Sequence, residues 1–228
     1  DAPAGIADFT LSNYQQNFLS KEHPELVEDG QSAVNSDAVF APIFGIYVMG
    51  SFGSISQTSA SGLDIWICHQ DDLSEQEQQR LAEKTKKISQ WASTYHVEMH
   101  FYLMTQQRFR NERYSDPLTK ENSGSAQYML LLEEFYRSAV RLSGKPLLWL
   151  HLWVEDEKQY EAEVARLVAE GELNPNDWVD FGGLGQFSAS EYFGASLWQL
   201  YKGIDSPYKS VMKILLLETY AQEYPNAH

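Results

Sequence analysis

Three things are scarce in this sequence: cysteine, long apolar runs and positive charge. The 228 residues include one cysteine, Cys68, which excludes an internal disulfide framework and a zinc site built from several cysteines. Such sparing use of cysteine is typical of a reducing compartment, so we expect a cytoplasmic protein. The longest apolar runs, such as 129–132 and 146–150, are far shorter than the roughly 20 residues that span a bilayer, so we expect no membrane span. The chain starts at Asp1 without a methionine or a signal pattern, which predicts a fragment.

The charge balance restricts the partners. There are 17 Lys and Arg residues against 32 Asp and Glu, and the formal net charge is −15. A protein that binds nucleic acid or a membrane surface ordinarily carries the opposite excess, so we expect neither partner. An anionic substrate would need a local cluster of cations or an accompanying metal ion. Apolar residues make up 43% and aromatic residues 13%, which is typical of a folded chain.

Hydrophobic periodicity predicts alternating strands and helices in the first two thirds of the chain. Strands are expected at 44–49, 63–68, 97–104 and 147–153, and helices at 74–94 and 125–143. In the third strand Glu98, His100 and Tyr102 would share one face, which places Glu98 inside the strand. A short polar helix is expected between Ser51 and the second strand.

The last third of the chain predicts helices only. They are expected at 157–170, at 188–201 and from Ser206 onward, where Pro207 takes the first helical position and Ser206 can cap the free amides. Ser188 and Glu191 have the spacing of a capping box, as do Ser74 and Glu77. The expected fold class is α/β (α+β), with a small mixed sheet flanked by helices and followed by a helical subdomain. We expect a loosely structured lead-in at 1–40, an α/β core at 41–154 and the helical subdomain at 155–228.

The first strand ends at Gly50 and Ser51, and the second strand carries Asp64. A Gly-Ser turn lets backbone amides approach a phosphate while the neighbouring strand holds metal ligands. This arrangement resembles the nucleotidyltransferase fold of the DNA polymerase beta type. A Gly-Ser pair alone also fits an ordinary turn between a strand and a helix.

Longer strings resemble one family within that fold. They are Tyr47-Val48-Met49-Gly50-Ser51, Leu63-Asp64-Ile65-Trp66-Ile67-Cys68-His69-Gln70, Leu130-Leu131-Leu132-Glu133-Glu134-Phe135-Tyr136-Arg137, the run from Glu191 to Lys202, and Ile204-Asp205-Ser206-Pro207-Tyr208-Lys209. Together they resemble the amino-terminal catalytic region of the class I bacterial adenylate cyclases, from about residue 23 to residue 225. That family converts ATP to cyclic AMP and pyrophosphate. Its members are much longer, so the resemblance implies a piece without the remaining catalytic helices and the carboxyl-terminal regulatory part.

The sequence departs from the family pattern at one position. The family has Asp-Leu-Asp before Ile-Trp, with both carboxylates bound to metal, and this chain has Gly62-Leu63-Asp64. The resemblance implies that Asp64 and Glu98 hold Mg²⁺ or Mn²⁺ and that Gly62 occupies the place of a third ligand. Because each ligand contributes to metal affinity and positioning, we expect impaired turnover. The alternative for Glu98 is a glutamate on a solvent-facing part of a strand.

Lysines of the last helix are the candidate phosphate ligands. Lys209 and Lys213 lie four residues apart, a spacing at which like charges cost roughly 0.2–0.5 kcal/mol unless an anion lies between them. We expect the triphosphate of ATP near these lysines, together with Lys202 and Ser206; the alternative is a solvated helix face. The histidines lack metal-ligand spacing and are expected to be structural: His69, His96, His100 and His151.

Three functions remain open from the sequence. The first is an adenylate cyclase fragment that makes cyclic AMP by two-metal, in-line attack. The second is a nucleotide-binding module without turnover, which Gly62 favours. The third is a nucleotidyltransferase that acts on a separate acceptor.

Overall fold

A four-stranded mixed sheet forms the centre of the molecule. The computed structural model describes residues 2–22, 24, 41–55, 57–58, 61–111 and 128–224. The strands are β1 (Ile43–Met49), β2 (Leu63–His69), β3 (Met99–Met104) and β4 (Val140–Gly144), in the order β3-β2-β1-β4. Strand β1 is antiparallel to β2 and β4, whereas β2 and β3 are parallel. The prediction of a mixed α/β fold is confirmed.

Helices surround the sheet and make up most of the last third of the described chain. The α-helices are α1 (Asn13–Glu22), α2 (Glu75–Ser93), α3 (Gln106–Asn111), α4 (Tyr128–Ser138), α5 (Tyr160–Ala169), α6 (Ala189–Lys202) and α7 (Pro207–Glu223). Short 3₁₀ helices lie at Leu148–Leu150, Glu157–Gln159 and Pro175–Asp177. Both predicted capping boxes are present, Ser74 with Glu77 and Ser188 with Glu191. No helix in the described part of the chain combines the length and apolar character needed to cross a membrane.

The two faces of the sheet bury different sets of side chains, because successive residues of a strand point to opposite sides. On one face Val48, Ile65 and Ile67 form a cluster with Leu73 and Leu81, beside helix α2. The other face belongs to the larger core, in which Trp66 stacks on Phe135 of α4 with 4.1 Å between ring centroids. That larger core also contains side chains from residues 179–187, α6 and α7. The division of the chain at residue 154 stays a prediction.

The predicted helix at 125–143 is wrong in its second part. Helix α4 ends at Ser138, and Val140–Gly144 is the edge strand β4. The apolar residues of β4 continue the helical period of α4, so periodicity did not mark the boundary. Gly144 has φ +87°, and a Cβ atom there would lie 2.4 Å from the Phe44 carbonyl oxygen. The pairing with β1 therefore depends on this glycine.

Four other predictions need correction. The expected strand at 147–153 is instead a 3₁₀ turn, with Leu147 in a single bridge to Val179. The expected helix after Ser51 is absent from the described residues between 50 and 62, where turns and bends connect β1 to β2. The lead-in contains helix α1 and a bridge from Ile6 to Ile43, although residues 25–40 lie outside the described part. Helix α7 begins at Pro207 as predicted, but the Ser206 side chain makes no capping hydrogen bond.

Candidate active site

Asp64 lies near the start of β2, on the face of the sheet that α4 covers. It pairs in register with Met49 of β1 and His100 of β3, so it occupies the interior of the sheet. The Tyr102 hydroxyl donates to Asp64 Oδ1 over 3.5 Å, at the long limit of a hydrogen bond, so this contact is weak. An aspartate placed here, two residues before the buried Trp66, is half-buried and needs a partner.

The surroundings of Asp64 oppose its ionisation. Burial raises the pKa of the Asp64 carboxyl, and the nearby carboxylates of Glu134 and Glu98 act in the same direction. His100 and the hydrogen bond from Tyr102 lower this pKa and partly offset the rise. A cation bound beside Asp64 would be favourable, because it would offset the repulsion among these carboxylates.

The turn after β1 brings the backbone close to this carboxylate. Gly50 has φ +85°, a conformation that favours glycine, and a Cβ atom there would lie 3.6 Å from Asp64 Oδ2. The Gly50 amide donates to Ser138 Oγ over 3.1 Å. The carbonyl oxygen of Ser51 accepts from the Ser54 amide at 3.0 Å. The Gly50 amide therefore already has a protein acceptor, and a phosphate would have to replace Ser138 to use it.

Gly62 and Glu98 are neighbours across β2 and β3. Glu98 immediately precedes β3 rather than lying within it, which corrects the prediction, and its carbonyl oxygen accepts from the Leu63 amide at 2.8 Å. A Cβ atom on Gly62 would lie 3.4 Å from Glu98 Oε2, an ordinary van der Waals distance. Glu98 Oε1 contacts His100 Nε2 at 2.9 Å. The Cβ atom of an aspartate at position 62 would therefore fit beside the Glu98 side chain.

Two of the predicted lysines reach this end of the sheet. Lys209 of α7 donates from Nζ to Ser61 Oγ at 2.8 Å, next to Gly62. Lys213 forms an ion pair with Glu134 of α4, the same glutamate that acts on Asp64. Lys202 instead lies over the Trp198 ring, 5.2 Å from its centroid.

The residues present fit a divalent cation only in part. Asp64 and Glu98 supply the carboxylate oxygens that Mg²⁺ prefers, and Gly62 has no donor to add. Among the residues that the structure describes, no group of three or more Asp, Glu, His or Cys side chains is placed to hold a metal ion. The assignment of these residues to a metal or a nucleotide stays a prediction.

Sequence reasoning missed several residues around Asp64 and the turn after β1. Glu134, near Asp64, and Ser138, which accepts from the Gly50 amide, belong to α4, which is distant in sequence. His100 was expected to be structural. The sequence could have indicated Tyr102 and His100 as site residues. Both alternate with apolar residues along the predicted strand and therefore share the predicted face of Glu98. No comparable pattern marked Glu134.

Comparison with known protein families assigns the chain to a family. Residues 1–150 match the family described as "Adenylate cyclase NT domain", and residues 187–228 match "Adenylate cyclase, class-I, second domain". The chain belongs to the class I adenylate cyclase amino-terminal family. The resemblance inferred from the sequence strings is thereby confirmed.

Curated relatives extend well beyond this region. The adenylate cyclase of Haemophilus influenzae is 70% identical over 99% of this chain and 27% of its own length. The adenylate cyclase of Escherichia coli K12 is 47% identical over 99% of this chain and 26% of its own length. The chain thus spans about a quarter of the curated relatives that it matches.

Solved structures offer a more remote likeness. A crystal structure of a toxin–antitoxin with AMP-PNP is 15% identical, covering 67% of this chain and 86% of the other, with a TM-score of 0.26. A second toxin–antitoxin structure, MntA-HpeT, has 14% identity, the same coverage and the same TM-score. These values are too low to support an argument about this chain.

Proposed function

We propose that this chain is the nucleotide-binding part of a class I adenylate cyclase catalytic region and that it binds ATP together with Mg²⁺ or Mn²⁺. Family membership supports the substrate class. The observation that carries the proposal is the contact of Lys209 with Ser61, beside Gly62, because it brings a cation of α7 to the segment that leads into β2, the strand that holds Asp64. In a chain of net charge −15, a lysine at that place supplies the local attraction that a triphosphate needs.

Each side chain at this end of the sheet has a role in the proposal. The Lys209 ammonium binds a phosphate oxygen, and the small Ser51 lets the triphosphate approach the turn after β1. Asp64, which the Tyr102 hydroxyl contacts, and Glu98 hold the divalent cation. When bound, that cation would neutralise charge on the triphosphate and favour departure of pyrophosphate.

Glu134 has a positioning role in the same proposal. Its carboxylate pairs with Lys213 and so keeps this lysine on the side of α7 that faces α4. Because Glu134 partly neutralises Lys213, Lys209 carries the larger share of the attraction for phosphate. Lys202 and Ser206 were also predicted to bind the nucleotide, and for these two residues binding stays a prediction.

Gly62 is expected to impair turnover. If the missing carboxylate weakens positioning in the transition state by several kcal/mol, the rate falls by roughly a thousandfold, at about 1.36 kcal/mol per factor of ten. Nucleotide binding without turnover is therefore the second candidate function, favoured by Gly62 itself. Transfer to a separate acceptor is a third candidate, and no described contact favours it. The single buried cysteine supports a cytoplasmic location.

The decisive experiment is a calorimetric titration of this chain with Mg-ATP, beside its Gly62→Asp variant. We expect measurable Mg²⁺-dependent binding to the parent and tighter binding to the variant. Gly62→Asn is the matched control, because it adds nearly the same volume without the charge. Equal affinities for the parent, the Asp variant and the Asn variant would contradict the metal assignment, and absence of binding in all three would contradict the proposed function.

A further inference from the structure

Helices α6 and α7 and the turn between them expose many large apolar side chains. They are Phe193, Leu197, Leu200, Tyr201, Ile204, Tyr208, Val211 and Leu215, each between 52% and 78% exposed. We call this set the outer apolar face. So many large apolar side chains exposed on two helices that pack together indicate an interaction site rather than the ordinary scatter of single apolar residues.

The spacing shows that the outer apolar face is a second face of both helices. Phe193, Leu197 and Leu200 recur at intervals of four and three residues, which places them on one stripe of α6. Ala195, on the opposite side of α6, is buried in the larger core.

Helix α7 repeats the pattern. Tyr208, Val211 and Leu215 recur at intervals of three and four, whereas Leu217 and Tyr220 are buried in the larger core. A helix that is apolar on two opposite faces is typical of a position between two packed layers. In this chain only the inner layer is described.

The family match indicates what supplies the outer layer. Residues 187–228, which include α6 and α7, match the class I second domain, and the chain covers 27% of its Haemophilus influenzae relative. We propose that the outer apolar face packs against the remainder of the second domain within the same, longer polypeptide. This inference rests on family membership and exposure, and it is independent of the nucleotide site.

The net charge of the chain argues against a second copy of the chain, and against a membrane, as the partner of the outer apolar face. A second copy of this chain would also carry a net charge of −15, so the two copies would repel each other. A bilayer surface rich in anionic lipid would repel the chain for the same reason. An apolar surface on the same polypeptide has a high effective concentration, which reduces the entropic cost of covering the face.

Side-chain footprinting by hydroxyl radicals tests this proposal without a substitution in the face. The 228-residue chain is compared with a chimera in which it replaces the matching region of the full-length Haemophilus influenzae adenylate cyclase. We expect oxidation of Leu197, Tyr208 and Leu215 to fall severalfold in the chimera. Tyr95 and Trp153, which are 65% and 82% exposed outside the face, serve as internal controls and should change little.

Three results would overturn the proposal. Equal oxidation of the face in both proteins would show that the longer polypeptide leaves it uncovered. Protection in the short chain alone that rises with concentration, together with a dimer mass in sedimentation, would assign the face to a second copy. Protection of the short chain by vesicles that contain anionic lipid, with no protection in the chimera, would assign the face to a membrane.

A substitution provides an independent readout. Leu197→Glu should leave the melting temperature of the short chain nearly unchanged, because the side chain is 66% exposed there. In the chimera the same substitution would bury an unpaired charge and should lower the melting temperature clearly. Trp153→Glu is the matched control and should have equal, small effects in both proteins; equal effects of Leu197→Glu in both would contradict the proposal.

Discussion

A side chain at Gly62 would touch Glu98: a Cβ atom there lies 3.4 Å from Glu98 Oε2. The backbone at Gly62 does not require glycine, and the first atom of a side chain fits there at an ordinary van der Waals distance. A residue with a side chain, such as the aspartate of the class I pattern, can therefore begin beside Glu98 at this position.

Gly62→Asp should make folding stability depend on Mg²⁺. Without metal, a second carboxylate beside Glu98 should cost roughly 0.2–1 kcal/mol, because two like charges would lie close together at an exposed position. Added Mg²⁺ should reverse this loss, since a ligand that binds the folded state raises its stability. Thermal denaturation with and without Mg²⁺ measures the effect, and Gly62→Asn should show neither the loss nor the recovery. If Mg²⁺ changed the melting temperature of the Gly62→Asp variant only as much as that of the parent, position 62 would not belong to a metal site.

Ser51→Leu should weaken ATP binding while the melting temperature stays nearly unchanged. The residue lies in the turn after β1, is only half-buried, and lets the phosphates approach the backbone in our account. Ser51→Ala keeps the side chain small and is the control that should bind ATP almost as the parent does. Calorimetry and thermal denaturation of both variants provide the comparison. A loss of stability as large as the loss of affinity would mean that Ser51 is structural.

Tyr220→Phe should destabilise the chain by about 1.5–3 kcal/mol. The Tyr220 hydroxyl donates to Glu133, whose carboxylate is 1% exposed, and the variant removes a hydrogen bond to a buried charged group. This bond joins α7 to α4. Chemical denaturation measures the change. Tyr208→Phe removes the same atom from an exposed ring and should change the free energy of unfolding little; equal effects of the two variants would refute the role of the buried bond.

Stability should fall at alkaline pH. Burial raises the pKa of the Cys68 thiol and of the phenols of Tyr47 and Tyr160, so these groups keep their protons in the folded state. In the unfolded chain they ionise near pH 8.5 for cysteine and about pH 10 for tyrosine. The unfolded state then binds fewer protons, and the free energy of unfolding decreases as pH rises through this range. Melting temperatures between pH 7 and pH 11 test this, and a constant value from pH 9 to pH 11 would contradict it.

Much of the fold follows from the sequence because its strongest patterns are local. The capping boxes, the apolar strands β1 and β2 and the proline at the start of α7 each act through residues close in sequence. Strand β4 was missed because its pairing with β1 is non-local, and Val140 and Leu142 also fit the helical period of α4. Tertiary pairing overrode the local preference there.

The residues of the candidate site also fall into two groups: those that a local sequence pattern predicts and those that only tertiary packing brings to the site. Asp64 and Gly50 stand out because a polar or flexible residue interrupts an apolar pattern. Glu134 does not stand out, because a glutamate on an amphipathic helix is normal and only the packing of α4 on the sheet brings it near Asp64. The contact of Lys209 with Ser61 likewise depends on how α7 packs, which no local pattern encodes.

Binding of the triphosphate by Lys209 is tested by the ratio of ATP affinity to AMP affinity. Lys209→Met keeps the aliphatic stem and removes the charge, so ATP binding should weaken by about 1.5–3 kcal/mol, roughly tenfold or more, while AMP binding stays nearly unchanged. Lys84→Met on α2 makes the same change in net charge at an exposed position and should leave the ratio unchanged. We expect the ratio to fall at least tenfold in Lys209→Met alone; an unchanged ratio in that variant would mean that Lys209 does not bind the triphosphate.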